Sequence, residues 1–303
     1  MAESVALLGA VGDVLASWHL DVERGALSAQ SLDKFGLLIG RFSRFAAANG
    51  VELVGQVSEA VADDFIHARG RTRHGRIDDV SLSTRHLRRS VLRMFFRAAR
   101  QLGLADNDPT WNIELPPRTG QSARPLTAEE AACCRLFAES TADRTRHAAV
   151  AALALAGANT GEIGHICGTD LDLETNRVRV RGSSKTDERW CALDAWGKRI
   201  LVLRVHQLAE RHPASWSAQP LATSHHGSDA QRQARACVAL RDVLVRAGLG
   251  RESDLKPASV TAHAGLTAFT ASGRIEDAAR LLGLRSLDRT AAVIGHHWRD
   301  GGG

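Results

Sequence analysis

The chain has 303 residues, of which 44% are hydrophobic and 24% are charged, and its formal net charge is +5 at pH 7. This balance is typical of a globular protein with two domains of ordinary size, and no apolar run reaches the roughly 18 residues that a membrane-spanning helix needs. The net positive charge favours an acidic partner such as nucleic acid. A GC-rich genome is the alternative explanation, because it also enriches a sequence in arginine relative to lysine.

Two further observations concern the compartment. The first twenty residues lack the basic segment of a secretory signal and contain Glu3 and Asp13. The five cysteines are odd in number and show no zinc-binding spacing, which indicates reduced thiols. We therefore expect a cytoplasmic protein, associated with the nucleoid if it binds DNA, with no membrane partner, metal or cofactor.

The first 104 residues follow helical periodicity. Apolar residues at a spacing of three and four predict a helix over Ser31–Asn49, and Ser58 is a candidate N-cap for a second helix over Ser58–Ala68. A third helix, capped by Ser83 or Thr84, should end before Gly103. The N-terminal part is therefore predicted to be all-helical.

Four of the seven prolines fall within residues 105–125, and prolines at this density favour an extended segment. The following helix opens with Thr127 and Glu130 in the spacing of a capping box. We therefore predict a helical domain over residues 1–108, an extended linker over 109–123 and a second domain over 124–303.

The hydrophobic periodicity of the second domain changes once, from helical to strand-like. A buried helix over Ala148–Gly157 precedes the alternating segment Arg177–Arg181 and a short strand over Trp190–Leu193, with a polar turn around Ser183–Glu188. The fold class is therefore mainly α with a small antiparallel β-hairpin. Further helices are predicted at about 195–211, 229–247, 257–272 and 275–283.

The third helix is strongly basic. Between Arg69 and Arg100 there are ten arginines but only two acidic residues. At 100° per residue, one face is predicted to be apolar: Leu87, Val91, Met94, Phe95, Ala98 and Leu102. The opposite face carries Arg85, Arg89, Arg93, Arg97 and Arg100, with Arg88 at its edge. Phosphates would neutralise such a face, whereas solvated faces usually mix charges of both signs.

The order of these features resembles the tyrosine recombinases, also called phage integrases. Ser83–Ala99 is similar to the last large helix of their core-binding domain, and Arg124–Glu130 is similar to the start of their catalytic domain. The resemblance covers roughly residues 28–295. It implies two domains that close around a DNA duplex as a C-shaped clamp, with the basic helix on one side and the hairpin around Arg181 and Lys185 on the other.

The same resemblance places catalytic positions on this chain. In the family, a tyrosine attacks the scissile phosphate, while two arginines, a histidine or tryptophan and a hairpin lysine assist. Asn159 and Ala262 stand at the arginine positions, Leu284 at the terminal histidine position and Val293 at the tyrosine position, and the chain contains no tyrosine. Only Lys185 matches, and it is equally readable as a polar turn residue.

A rival alignment puts Leu266 at the second arginine position, but no arginine lies between Glu252 and Gly273 in either case. Two other pairs of residues are candidate nucleophiles. His296 and His297 are better read as a terminal docking segment than as a catalytic pair, and neither the family nor a basic neighbourhood supports the adjacent cysteines at 133 and 134.

These observations predict that the protein is not an enzyme but a double-stranded DNA-binding protein with a regulatory or architectural role, on a mobile element, a plasmid or the chromosome. The alternatives are an accessory subunit that self-associates or assembles with an active recombinase, an enzyme with unconventional strand cleavage, and a module that binds acidic protein. The candidate DNA-binding residues are Arg69, Arg71, Arg73, Arg85, Arg88, Arg89, Arg93, Arg97, Arg181 and Lys185. We expect substitution of the arginines on this face to weaken DNA binding more than substitution of Lys185. We also expect these arginines to bury nothing, so that their substitution leaves the fold nearly intact.

Overall fold

A computed structural model describes residues 5–71, 75–117, 123–140, 144–223 and 227–297. The chain divides into two compact units, an N-terminal unit of residues 1–120 and a C-terminal unit of residues 121–303. Within the described residues, no helix is long and apolar enough to cross a membrane.

The N-terminal unit contains four helices and a two-residue antiparallel ribbon. The elements are α1 (Leu7–Glu23), α2 (Ala29–Ala48), α3 (Glu59–His67), β1 (Gly70–Arg71), β2 (Ile77–Asp78) and α4 (Leu82–Gln101). Ser58 caps α3, as predicted, by accepting a hydrogen bond from the Val61 amide. The prediction for α4 was wrong by two residues, because Ser81 is the residue whose hydroxyl accepts from the Thr84 amide.

Helix α4 is buried over a wider arc than its apolar pattern predicted. It packs against α1, α2 and α3, and Leu92 and Phe96 are fully buried. Leu87 and Leu102, both predicted to face inward, are instead 38% and 45% exposed. Because three helices surround α4, its buried arc includes positions beyond a single 3.6-residue stripe. Glycine at 103 follows its last turn with a φ of +71°, which confirms the predicted end.

The segment after α4 remains with the N-terminal unit. Thr110 is fully buried, and Ile113 belongs to the same hydrophobic core as the four helices. Residues 109–113, which the sequence assigned to an extended linker, therefore form part of this unit's packed structure.

The C-terminal unit is built around α6 (Arg144–Leu155), which contacts five other helices among the described residues and is buried from Ala148 to Ala154. The surrounding helices are α5 (Ala128–Glu139), α7 (Thr160–Ile163), α8 (Ala195–Arg211), α9 (Asp229–Arg246), α10 (Pro257–Ser272), α11 (Ile275–Leu282) and α12 (Leu287–Ile294). Both reciprocal hydrogen bonds of the predicted capping box join Thr127 and Glu130. Helix α12 was not predicted.

A three-stranded antiparallel sheet interrupts these helices. It is ordered β3 (Leu171–Asp172), β4 (Arg177–Val180) and β5 (Arg189–Ala192), and Val178 pairs with Cys191. The predicted hairpin corresponds to β4 and β5, while β3 was too short to predict. Val178, Val180 and Cys191 face the core, so alternate residues of β4 and β5 point to solvent.

Candidate nucleic-acid interface

The arginines of α4 differ sharply in their surroundings. Arg97 is exposed and Arg85 is half-buried, and neither guanidinium has a polar partner within the described part of the chain. Arg100 is exposed; its Nε donates to Phe96 O, and its Nη2 lies 3.6 Å from Asp108 Oδ2. These three positions therefore keep cationic charge near solvent.

Arg88 does not belong to that face, contrary to the sequence prediction. It is only 8% exposed, and its Nη1 donates to the carbonyls of Phe65, Ile66 and Ala68 at the end of α3. Its guanidinium also lies 5.2 Å from the Phe65 ring centroid. Burial, together with the nearby Arg41, lowers the pKa of Arg88. The side chain satisfies the carbonyl groups that a helix end leaves unpaired.

Arg89 and Arg93 point toward the segment after α4. Arg89 Nη1 donates to Ile113 O at 2.9 Å, and Arg93 Nη2 donates to Thr110 O and Trp111 O at 3.1 and 3.2 Å. The expectation that the arginine face buries nothing was therefore wrong at these two positions. Both side chains fasten residues 110–113 to α4 through charge-assisted hydrogen bonds.

This fastened segment presents an exposed aromatic residue beside the arginines. Arg93, Arg97, Arg100, Asp108 and Trp111 line a cavity of about 310 Å³. We call it the tryptophan cup. Asp108 is nearly buried and accepts from both the amide and the hydroxyl of Thr110. Sequence reasoning missed Trp111 because the proline-rich stretch around it indicated a linker.

The ribbon between α3 and α4 supplies further basic groups. Arg71 is exposed, while Arg69 forms an exposed ion pair with Asp79 at 3.1 Å. Arg73 lies outside the described residues. The structure therefore leaves Arg71 available for an acidic partner and gives Arg69 an internal one.

In the C-terminal unit, Asn159 is engaged by its own loop. It precedes α7, its amide donates to Glu162 Oε2 at 2.7 Å, and its Nδ2 lies 3.2 Å from the same oxygen. Nδ2 also lies 3.4 Å from Leu282 O. The residue at the first arginine position is therefore neutral and serves as a helix cap.

A buried ion pair lies next to Asn159 in this unit. Arg189 Nη1 and Nη2 donate to Glu162 Oε1 and Oε2 at 3.0 and 2.9 Å, and both side chains are at most 5% exposed. Thr186 donates to Glu162 Oε1, and Arg189 also donates to the carbonyls of Gly157 and Leu281. We call this arrangement the Glu162–Arg189 junction.

Burial alone would raise the pKa of the Glu162 carboxyl, but hydrogen bonds from Arg189, Thr186 and the Asn159 amide outweigh it and lower the pKa overall. The junction joins the loop before α7, the hairpin and the end of α11. Sequence reasoning missed Arg189, although its position two residues before the inward-facing Cys191 predicts that it also faces inward.

Gly283 packs directly on this junction. Its φ is +67°, and a Cβ atom there would stand 2.5 Å from Arg189 Nη1 and 2.8 Å from Asp187 O. The Asp187 amide donates to Gly283 O at 2.9 Å. Only glycine combines this backbone conformation with so close an approach.

The other family positions lie in apolar surroundings. Ala262 is buried within α10. Leu284 and Val293 pack on a small hydrophobic cluster formed by α11 and α12, which Leu266 of α10 also contacts. Both candidates for the second arginine position, and the histidine and tyrosine positions, therefore hold side chains that cannot stabilise a phosphate.

The hairpin retains basic residues on its surface. Lys185 is exposed, and its ammonium group has no polar partner within the described part of the chain. Arg181 is also exposed but pairs with the buried Asp170 at 2.9 Å. Lys185 is therefore the freer of the two cations.

The alternative nucleophiles differ in their surroundings. The ring of His296 stacks 4.8 Å from Phe269, while His297 is exposed. Burial raises the pKa of the Cys134 thiol to about 12, and Cys133 is exposed beside it. No group of three metal-ligating side chains occurs among the described residues.

No protein-family model matches the sequence, and no curated protein sequence matches it. In contrast, several solved structures are similar to this chain. The chain is similar to a lambda integrase dimer bound to a COC′ core site, with a TM-score of 0.65 and 15% identity over 96% of this chain and 98% of that one. It is similar to the Tn1549 transposon integrase in complex with transposon right-end DNA, with a TM-score of 0.63 and 13% identity over 96% of both chains.

A lambda integrase tetramer bound to a Holliday junction gives a TM-score of 0.65 and 17% identity over 94% of this chain and 79% of that one. Identities this low establish the fold rather than the chemistry. The predicted fold class is thereby confirmed: the chain has the mainly helical fold, with a small antiparallel sheet, of the tyrosine recombinases.

Proposed function

We propose that the protein is a non-catalytic double-stranded DNA-binding protein on a tyrosine-recombinase scaffold, with a regulatory or architectural role at the nucleoid. The observation that carries the proposal is the environment of the family's catalytic positions. Leu284 and Val293 pack in an apolar cluster, Ala262 is buried, and the chain has no tyrosine.

Strand transfer requires a nucleophile and fixed positive charge around a pentavalent phosphorane. Each stabilising group of this kind is commonly worth about 10²–10³ in rate. Asn159 is neutral and already occupied by Glu162 and Leu282 O. The Arg189 guanidinium is close to it, but Glu162 neutralises its charge and both are buried. A scaffold without these groups can supply binding but not cleavage.

DNA contact is supported by the uncompensated charge on α4, where Arg85 and Arg97 have no polar partner among the described residues. It is also supported by the similar structures, which are integrases bound to DNA as dimers and tetramers. The same oligomers favour self-association on DNA. These oligomers are also compatible with the second candidate function, that of an accessory subunit that assembles with an active recombinase.

The first experiment tests catalysis. The protein is incubated with supercoiled DNA and with nicked suicide duplexes selected from a random pool for binding. We expect neither relaxation nor a covalent adduct, because no tyrosine can attack. A band that survives denaturant and disappears on protease treatment would refute the non-catalytic assignment.

The second experiment locates the DNA contact by salt titration on a selected duplex. Each lost phosphate contact reduces the slope of log affinity against log salt by about one. We expect a reduction of about two for the double variant Arg85→Ala/Arg97→Ala and about one for Lys185→Ala. Lys34→Ala, an exposed basic residue on α2, is the control and should leave the slope unchanged. If Lys185→Ala alone weakens binding, the hairpin is the main contact.

A further inference from the structure

The tryptophan cup has two properties that the proposed duplex contact does not explain. Its rim carries Trp111, whose side chain is 75% exposed, and its wall carries three guanidinium groups. Large aromatic side chains contribute most when they are covered, and an exposed indole beside three guanidinium groups offers a flat apolar surface for a ligand to cover. The cavity volume of about 310 Å³ lies at the lower end of the range for small ligand sites.

The backbone that carries the indole is held in place. Arg93 donates to the carbonyls of Thr110 and Trp111 itself, and Asp108 accepts two hydrogen bonds from Thr110. Thr110 is fully buried. The backbone position of Trp111 is therefore set before any ligand arrives, which reduces the ordering cost of binding.

The cup also carries an excess of positive charge. Arg97 has no polar partner within the described part of the chain, and Arg93 is satisfied by backbone carbonyls rather than by a carboxylate. Asp108 is the single acidic residue of the lining and lies 3.6 Å from Arg100. An anionic group beside the indole would therefore be attracted to Arg97 and Arg100.

A ligand that suits both features combines a planar ring with a phosphate. An acidic peptide would meet the charge but leaves the indole uncovered, and the bases of a continuous duplex are stacked on one another. An unpaired nucleotide offers a free base face and a phosphate at neighbouring positions, and aromatic stacking with arginine contacts is how proteins hold single strands.

We propose that the tryptophan cup binds an unpaired nucleotide in a single-stranded segment of DNA, with the base on Trp111 and the phosphate on Arg97 and Arg100. This inference rests on the proposed DNA-binding function and adds a preference to it. The protein should favour a duplex that carries a single-stranded gap or flank over a continuous duplex of the same sequence.

The test compares three fluorescent probes by anisotropy: a continuous duplex, the same duplex with a short gap, and the single strand alone. Loss of base stacking on an aromatic residue is expected to reduce affinity roughly 5- to 150-fold. Trp111→Ala should therefore lose the preference for the gapped duplex by about this factor while keeping its affinity for the continuous duplex. Trp111→Phe should retain most of the preference for the gapped duplex, and Arg100→Ala should weaken it.

Trp190→Ala is the matched control, since Trp190 is also an exposed tryptophan near an arginine but lies on the sheet of the C-terminal unit. It should bind like wild type. Unchanged circular dichroism of each variant excludes a folding effect.

Equal affinity of the wild type for gapped and continuous duplex would overturn this inference and leave the proposed function standing. An equal loss for both probes in Trp111→Ala would also overturn it, since Trp111 would then be an ordinary duplex contact. Trp111-dependent binding of dTMP without any preference for the gapped duplex would assign the cup to free nucleotides instead. Absence of binding to any DNA would refute the proposed function itself.

Discussion

The two units contain buried arginines with different partners. Arg189 in the C-terminal unit faces the carboxylate of Glu162, whereas Arg88 in the N-terminal unit faces backbone carbonyls and the Phe65 ring, with no carboxylate among its hydrogen-bond acceptors. The charged groups near Asn159, which stands at the first arginine position of the family, are therefore engaged in an internal ion pair. The arginines of α4, in contrast, have few carboxylates near them, so their positive charge remains available to an external anion.

A cationic side chain on the same helix as exposed arginines can therefore have an entirely structural role. Arg88 and Arg97 are nine residues apart on one helix, yet one closes the end of α3 and the other meets solvent. Four predictions test how far this contrast extends.

The largest effect is expected at the Glu162–Arg189 junction. Glu162→Gln or Arg189→Met leaves one charge buried without its partner, which typically costs about 3–5 kcal/mol in the free energy of unfolding. Chemical denaturation measures it. Arg199→Ala is the control, because its ion pair with Glu139 is exposed and should contribute at most about 1 kcal/mol. Equal, small losses in all three variants would show that the junction does not stabilise the unit.

Arg88→Met should cost less, about 2–3 kcal/mol, because it leaves unsatisfied carbonyl groups but no uncompensated buried charge. The same denaturation experiment measures this loss. A loss larger than that of Arg189→Met would reverse the comparison. A loss near zero would mean that water replaces the guanidinium at the end of α3.

The junction should also make stability depend on pH. The folded pKa of Glu162 is lowered, so its contribution is fully present above the unfolded value near 4.3 and is lost as pH falls through the folded value. The stability difference between wild type and Glu162→Gln should therefore narrow below about pH 4, by about 1.4 kcal/mol for each unit of pKa depression. A difference that is constant from pH 7 to pH 3 would contradict a charged Glu162.

The smallest effect concerns the exposed arginine. Arg97→Ala should change the free energy of unfolding by no more than about 0.5 kcal/mol, since it removes no internal contact. Arg93→Ala removes hydrogen bonds to Thr110 O and Trp111 O and should cost about 1–3 kcal/mol. Thermal unfolding of the two variants separates them. Equal costs would mean that Arg93 does not fasten residues 110–113.

Local signals predicted local structure well. Ser58 and the pair Thr127 and Glu130 start helices where expected, because capping depends only on near neighbours in sequence. The hairpin followed from the alternation around Val178. Fold class was accessible for the same reason, since it depends on the order of such elements.

Long-range contacts were not predictable in the same way. The burial of Arg88 depends on the carbonyls of α3, about twenty residues earlier in the chain, and that of Ile113 depends on the hydrophobic core that the N-terminal helices form together. The partner of Glu162 lies 27 residues further on. A helical wheel built from one helix places its charged side chains on the exposed face. It contains no information about a carbonyl or carboxylate group that another element places beside one of them.

The close packing at Gly283 has a consequence for how much the sequence can vary. A larger residue there would have to displace Arg189 from Glu162, so the geometry of a buried ion pair restricts the choice of residue at position 283. Its neighbour Leu284 is half-buried against the apolar cluster of α11 and α12, where apolar side chains of similar volume should be tolerated. The steric room around each residue therefore decides which replacements these two adjacent positions accept.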